Sequence, residues 1–365
     1  MDPKVSIIVG LYNVSPYLKE KHLNCILQQT YPNWELILVD DGSTDETPRL
    51  CDLFAEKDSR IKVFHKKNGG LGSARNLGMK QATGEYLWFY DVDDEVELNL
   101  LECCVSEMEQ RQVDLMIFGF WAITPSQNLT EEVHFTEREI RGQKQLRDSY
   151  LDNLLFVRYG NGFAWNKVYR RSFIEQHHLK YENQRIQQDE VFNLKVYQAV
   201  DSIYISSKLF YHYFIYNTGN SRSRFIPNRF DIYLSIFDHF IELKNAWQIN
   251  DPRFIGYLYK RLYSSVSQCL LFNLFHPDCP WSREEKKNEI ERIMSDNRVL
   301  QAFSYLKRTK LGIEQRLYLN AFKSKSLFLI SLYKNLFSFM RKLNLLVDAL
   351  SISYQRIGGK RKPIK

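Results

Sequence analysis

Asp91 and Asp93 stand two residues apart in Phe89-Tyr90-Asp91-Val92-Asp93-Asp94, after the apolar run Glu85-Tyr86-Leu87-Trp88-Phe89-Tyr90. On a continuing strand such residues share a face, and two convergent carboxylates suit a hard divalent cation that also takes phosphate oxygens. A diphosphate is the natural substrate of such a pair. The cluster also reads as an acidic turn capping the next helix, because Asp and Glu favour turns and helix N-termini. A second pair, Asp40-Asp41, offers a carboxylate that can accept a hydrogen bond from a uracil ring N–H. Arg75, near the start of an expected helix, can give several donors to a nucleotide or form a structural salt bridge. The glycines of Asn68-Gly69-Gly70-Leu71-Gly72-Ser73-Ala74 match neither a Rossmann fingerprint nor a Walker A loop, and close packing is the reading preferred over a phosphate cradle.

These residues need elements that bring them together. Val5-Ser6-Ile7-Ile8-Val9-Gly10 and Trp34-Glu35-Leu36-Ile37-Leu38-Val39 read as strands, as does the run before Asp91. After Ser15-Pro16, the positions of Leu18, His22, Leu23, Ile26 and Leu27 predict a helix, and Ser43-Thr44-Asp45-Glu46 looks like the capped start of another. Strands alternating with helices, each followed by a polar loop, imply a parallel doubly wound α/β sheet with the loops along one edge, where open sheets bind ligands.

Taken in order, Ser6-Ile7-Ile8-Val9 with Tyr12-Asn13, then Val39-Asp40-Asp41-Gly42-Ser43-Thr44-Asp45, then Asn68 to Asn76, then Asp91-Val92-Asp93-Asp94 resemble the family 2 glycosyltransferases. The resemblance continues through Trp165-Asn166-Lys167-Val168-Tyr169-Arg170-Arg171 and Gln188-Asp189-Glu190-Val191-Phe192-Asn193, and ends near Arg224. It implies a GT-A fold and a nucleotide-diphosphate sugar donor, a UDP-sugar above all. It also implies a Mn²⁺ or Mg²⁺ cofactor and inversion at the anomeric carbon. Asp41 would then read the base with Tyr12 stacked near it, Arg75 and Asp91 would contact the nucleotide, and Asp93 would hold the metal on the diphosphate. Asp189 matches the base of a Glu-Asp-x-x-Phe type motif, with Gln188 where the family often has Glu and Glu190 as the local competitor. Trp165 and Lys167 would lie beside the donor and acceptor, and His212 and Arg222 belong to a run resembling a loop that closes over the diphosphate. The residues alone also allow core packing for Trp165 and His212.

At 365 residues two domains are expected, residues 1–224 carrying the glycosyltransferase motifs and residues 225–365 forming a helical domain. Helices are predicted around Phe230–Ile241 and Tyr257–Val266, with a third capped at Ser282. From Lys323 onward ten Lys or Arg residues face one acid, Asp348, with apolar residues between them. That pattern suits the surface of an anionic membrane, or a helix packed on the domain with solvated cations. Met1-Asp2-Pro3-Lys4 runs straight into the first strand, no stretch is apolar enough to span a bilayer, and the six cysteines lack metal or disulfide spacing. The expectation is therefore a cytoplasmic enzyme, peripheral on the inner face of the membrane. Its acceptor would be a glycan or lipid-linked oligosaccharide of a bacterial surface polysaccharide. Two other classes stay open: a sugar-nucleotide-binding protein without turnover, and a nucleic-acid binder suggested by the net charge of +7. No nucleic-acid partner is expected, since no such motif occurs and the charge gathers at one end.

Overall fold

The computed structural model describes residues 2–18, 20–157, 162–216, 224–309 and 311–339. The order begins β1 (Val5–Leu11), α1 (Glu20–Leu27), β2 (Trp34–Asp40), α2 (Thr47–Lys57), β3 (Ile61–His65), α3 (Leu71–Gln81) and β4 (Tyr86–Phe89). It continues β5 (Glu95–Val96), α4 (Leu100–Arg111), β6 (Leu115–Thr124), β7 (Leu129–Val133), β8 (Arg138–Arg141), α5 (Gly142–Tyr150), β9 (Lys167–Arg170), α6 (Arg171–Gln176), α7 (Gln188–Ala199) and β10 (Ser202–Phe214). Then come α8 (Arg229–Ala246), α9 (Pro252–Ser267), α10 (Arg283–Ser295), α11 (Asn297–Lys307), α12 (Ile313–Lys323) and a helix over residues 327–339.

The chain divides into two compact units, Met1–Ser223 with His239–Gln248, and Arg224–Asp238 with Ile249–Lys365. In the first, strands run in the order β3-β2-β1-β4-β9-β6-β10-β5. The β3-β2-β1-β4 half is parallel, as the strand–helix alternation implies. β1 and β2 are apolar and buried almost throughout, as befits parallel strands covered on both faces. Beyond β4 the sheet departs from a simple doubly wound pattern, because β9 enters antiparallel between β4 and β6.

The edge remote from the acidic loops is fixed by one buried carboxylate. Glu35 accepts from Ser6 Oγ (2.7 Å), from the Thr83 backbone N–H (2.7 Å) and from Lys62 Nζ (2.7 Å), so a single side chain ties β1, β2, β3 and the entry to β4. Burial works against its charge, but these donors outweigh it and hold its pKa at about 2.

The second unit is helical, as its amphipathic spacing predicts. α10 begins with a reciprocal capping box in which Glu285 N donates to Ser282 Oγ and Ser282 N donates to the Glu285 carboxylate. α9 begins on Asp251, whose side chain accepts from Arg253 N.

Candidate active site

The C-terminal ends of β1, β2 and β4 lie on one edge of the sheet, and the loops that leave them are tied to one another. Asn13 N donates to Ser43 Oγ (2.9 Å), Thr44 N to Asn13 Oδ1 (2.8 Å), and Val14 N to Thr47 Oγ1 (2.9 Å). Asp45 accepts from Ser15 N and Thr47 N; burial opposes its charge, yet these donors bring its pKa to about 2. This lacing leaves Tyr12 exposed at the edge, with its ring open to a partner.

Asp41 is differently placed. Its buried carboxylate accepts from the backbone N–H groups of Gly69 (2.9 Å) and Gly70 (2.6 Å) and from Lys66 Nζ (2.6 Å). It therefore fixes the glycine loop in front of α3 and has little surface left for a base. Gly70 has φ +88°, a left-handed conformation that favours glycine. At Gly72 a Cβ would come within 3.1 Å of Tyr181 Cβ, so close packing explains this glycine.

Held in this way, α3 carries Arg75 one turn into the edge. Its guanidinium is fully buried and bridges two carboxylates, Nη2 donating to Asp91 Oδ1 (2.7 Å) and Nη1 to Asp189 Oδ1. The Phe89 and Tyr181 rings lie alongside, each 5.5 Å from the guanidinium carbon. Burial disfavours the arginine's charge, but Asp189, Tyr181 and Asp91 more than compensate, and it stays firmly protonated. Nε is left without a hydrogen-bond partner among the described residues. Asp189 lies in the first turn of α7, after Gln187 in a left-handed conformation, whereas Glu190 packs beside Gly162. Arg75, Asp91 and Asp189 thus meet directly.

The acidic loop is a turn rather than a continuing strand, since β4 stops at Phe89 and Asp94 N donates to Asp91 O (3.1 Å). The alternation survives: Asp91 and Asp93 are half-buried while Val92 and Asp94 are buried. Asp94 is held from β10, its carboxylate accepting from Tyr211 Oη (2.9 Å) and Phe214 N (2.8 Å). Tyr211 also accepts from Asp91 N (3.3 Å). Burial raises the pKa of Asp91 to about 6; Arg75 opposes the rise, and Asp93 and Asp189 add to it. Burial also raises Asp93, and it raises Asp94 well above the carboxylate range with help from Asp93 and Asp91. Asp93 has no cationic partner among the described residues.

This excess of negative charge fits a hard cation, with Asp91 and Asp93 as its oxygen donors. No group of three His, Cys, Asp or Glu residues among the described residues would hold a metal unaided. Further oxygens would come from substrate or water.

Other sequence-predicted residues are buried or paired elsewhere rather than presented at this surface. Trp165 is buried, stacked on Tyr211 at 4.2 Å and on Phe163 at 4.7 Å, so its ring belongs to the aromatic core. Lys167 is also buried, its Nζ donating to Asn166 Oδ1 (2.8 Å) and Phe163 O (2.5 Å). Burial drives its pKa far down despite Asp189 nearby. His212 stacks on Trp121 at 4.5 Å and pairs with Glu97 at 2.8 Å; its strand neighbour Tyr211 is the one that meets the acidic loop. Alternation along β10, read with Tyr211 inward, is the signal that would have chosen it. Arg222 lies outside the described residues.

The family model described as glycosyl transferase family 2 matches residues 6–177. Over 343 residues the chain is 29% identical to the uncharacterized glycosyltransferase EpsJ of Bacillus subtilis strain 168, covering 91% of this chain and 96% of that protein. It is 34% identical over 219 residues to the putative glycosyltransferase EpsH of the same strain, covering 59% of this chain and 61% of EpsH. Among solved structures, Staphylococcus aureus TarS 1–349 in complex with UDP-GlcNAc superposes with a TM-score of 0.58 at 20% identity, over 92% of this chain and 91% of that one. The matched span starts in β1 and runs past β9, enclosing both acidic loops and Arg75: residues 6–177 form a family 2 glycosyltransferase domain, and the chain is built on the GT-A fold.

Proposed function

We propose that the enzyme transfers a sugar, with inversion, from a nucleotide-diphosphate donor to a hydroxyl of a glycan or lipid-linked acceptor in surface-polysaccharide assembly. A UDP-sugar is the donor, in keeping with the UDP-GlcNAc held by TarS. The observation that carries the reading is the bridge Asp91–Arg75–Asp189 at the sheet edge, beside Asp93. It sets a carboxylate for proton removal next to carboxylates suited to a charged diphosphate.

In this reading Tyr12 stacks near the base, and Asp41 acts on the nucleotide pocket by holding the glycine loop. Asp189 takes the proton of the acceptor hydroxyl as that oxygen attacks the anomeric carbon. Arg75 orients Asp189 and Asp91 together, so the base and the donor side are set by one group. Asp93, with Asp91, would hold Mn²⁺ or Mg²⁺, which when bound offsets the charge of the departing diphosphate. Residues 1–224 supply this chemistry, and the helical remainder serves the acceptor side and a peripheral position on the inner face of the cell membrane.

A donor panel scored by nucleotide release, with Mn²⁺, Mg²⁺ or chelator, tests the reading. Release from one UDP-sugar that needs a divalent cation and is abolished in Asp93→Ala is expected. Tight donor binding with no release under any condition, acceptors included, would instead make this a binding protein.

A further inference from the structure

The helix of residues 327–339 in the second unit is apolar on two opposite sides. Ile330 and Phe337 are buried, Phe337 with its ring 5.1 Å from that of Tyr318 on α12. Phe328, Leu332, Leu336 and Phe339 are 45% to 68% exposed. At 100° per residue these four fall within an arc of about 80°, and the buried pair lies roughly opposite. Packing on the unit accounts for the first side and leaves the second without a partner among the described residues.

In sequence the charges of this segment are of one sign, although Lys325 pairs with Glu291 on α10 and Lys334 lies over the Phe275 ring on the buried side of the helix. Between Lys323 and Phe339 the chain has Lys323, Lys325 and Lys334 and no acid, and residues 340–365 carry seven Lys or Arg against Asp348. No helix among the described residues is long and apolar enough to cross a membrane. A packed helix with an outward apolar stripe, continued in sequence by seven cations against one acid, is complementary to an anionic bilayer surface, where apolar side chains enter the headgroup boundary and cations meet lipid phosphates.

We infer that Phe328, Leu332, Leu336 and Phe339 form a docking face for anionic membrane, held to the protein through Ile330 and Phe337. Packing and membrane binding are then two sides of one helix. This face is independent of the sugar-donor reading.

The test is co-sedimentation of the full chain with vesicles of phosphatidylcholine alone or mixed with phosphatidylglycerol, beside the triple variant Phe328→Ser, Leu332→Ser, Leu336→Ser. The native chain should bind the anionic vesicles, less at high salt, and the variant about 100-fold more weakly. Because these side chains are exposed, the variant should keep the native circular dichroism and melting temperature. Equal vesicle binding by both proteins would overturn the inference. So would a native chain that ignores anionic vesicles, including one whose self-association in the ultracentrifuge is lost in the variant, which would make the stripe a contact between copies.

Discussion

Asp189 and Glu190 are neighbours in sequence and separated in space by the helix they begin. One residue turns a side chain by about 100°, enough to put Asp189 on Arg75 and Glu190 beside Gly162. Asp189→Asn should leave donor binding intact and lower transfer by about two to four orders of magnitude, while Glu190→Gln should cost far less; steady-state rates with calorimetric donor affinity check both. The opposite ranking would move the base by one residue. Asp91 gives a prediction with a sign. Its pKa is raised from 3.8 to about 6, so the folded protein favours the protonated form, and its contribution to stability is present below about pH 4 and is lost as pH rises through about 6. A divalent cation needs the ionised form. Mn²⁺ should therefore raise the melting temperature clearly at pH 7.5 and little at pH 5, and equal shifts at both would remove Asp91 from the cation site.

At the scale of elements, the acidic loop depends on β10. Tyr211 reaches both Asp94 and the Asp91 backbone, so Tyr211→Phe should leave the buried Asp94 carboxylate one donor short. We expect a loss of about 1–3 kcal/mol in urea unfolding and a raised KM for donor, whereas His212→Gln, on the other side of the strand, should leave that KM unchanged. The strands β1, β2 and β4 and their polar loops were legible because each is a short apolar run ending in polar residues, carboxylates after β2 and β4. The partners of Arg75 were not, since Asp189 is 114 residues away and no local pattern announces that meeting. Residue type allowed a core place for Trp165, whose ring stacks on Tyr211 from β10. It could not reveal that Lys167 is buried, since its Nζ is taken by Phe163 O and Asn166 Oδ1, polar oxygens that mark no pattern.

The molecule as a whole was partly readable. Strand–helix alternation gave the parallel half, and apolar spacing with the Ser282 cap gave the helices after Arg229. The antiparallel entry of β9 left no such mark, being a short strand whose neighbours lie far away in sequence. Global stability should rest heavily on Glu35. With its pKa about 2 against an ordinary 4.5, its contribution is full above about pH 4.5 and is lost as pH falls toward 2. Glu35→Gln should lower unfolding free energy at neutral pH by about 2–3 kcal/mol, read from denaturant melts.

The late position of β9 also bears on how the chain is made. β4 is complete by Phe89, yet the strand that pairs with its open side begins at Lys167. During synthesis, Tyr86-Leu87-Trp88-Phe89 must wait as a naked apolar edge, and β6 waits for the same partner. A nascent chain paused between these points, or a fragment cut there, presents unsatisfied ladders on β4 and β6 to its neighbours, edges that invite aggregation. The late strand that joins the parallel half to β6 is thus also the one that ends the exposure of the open side of β4.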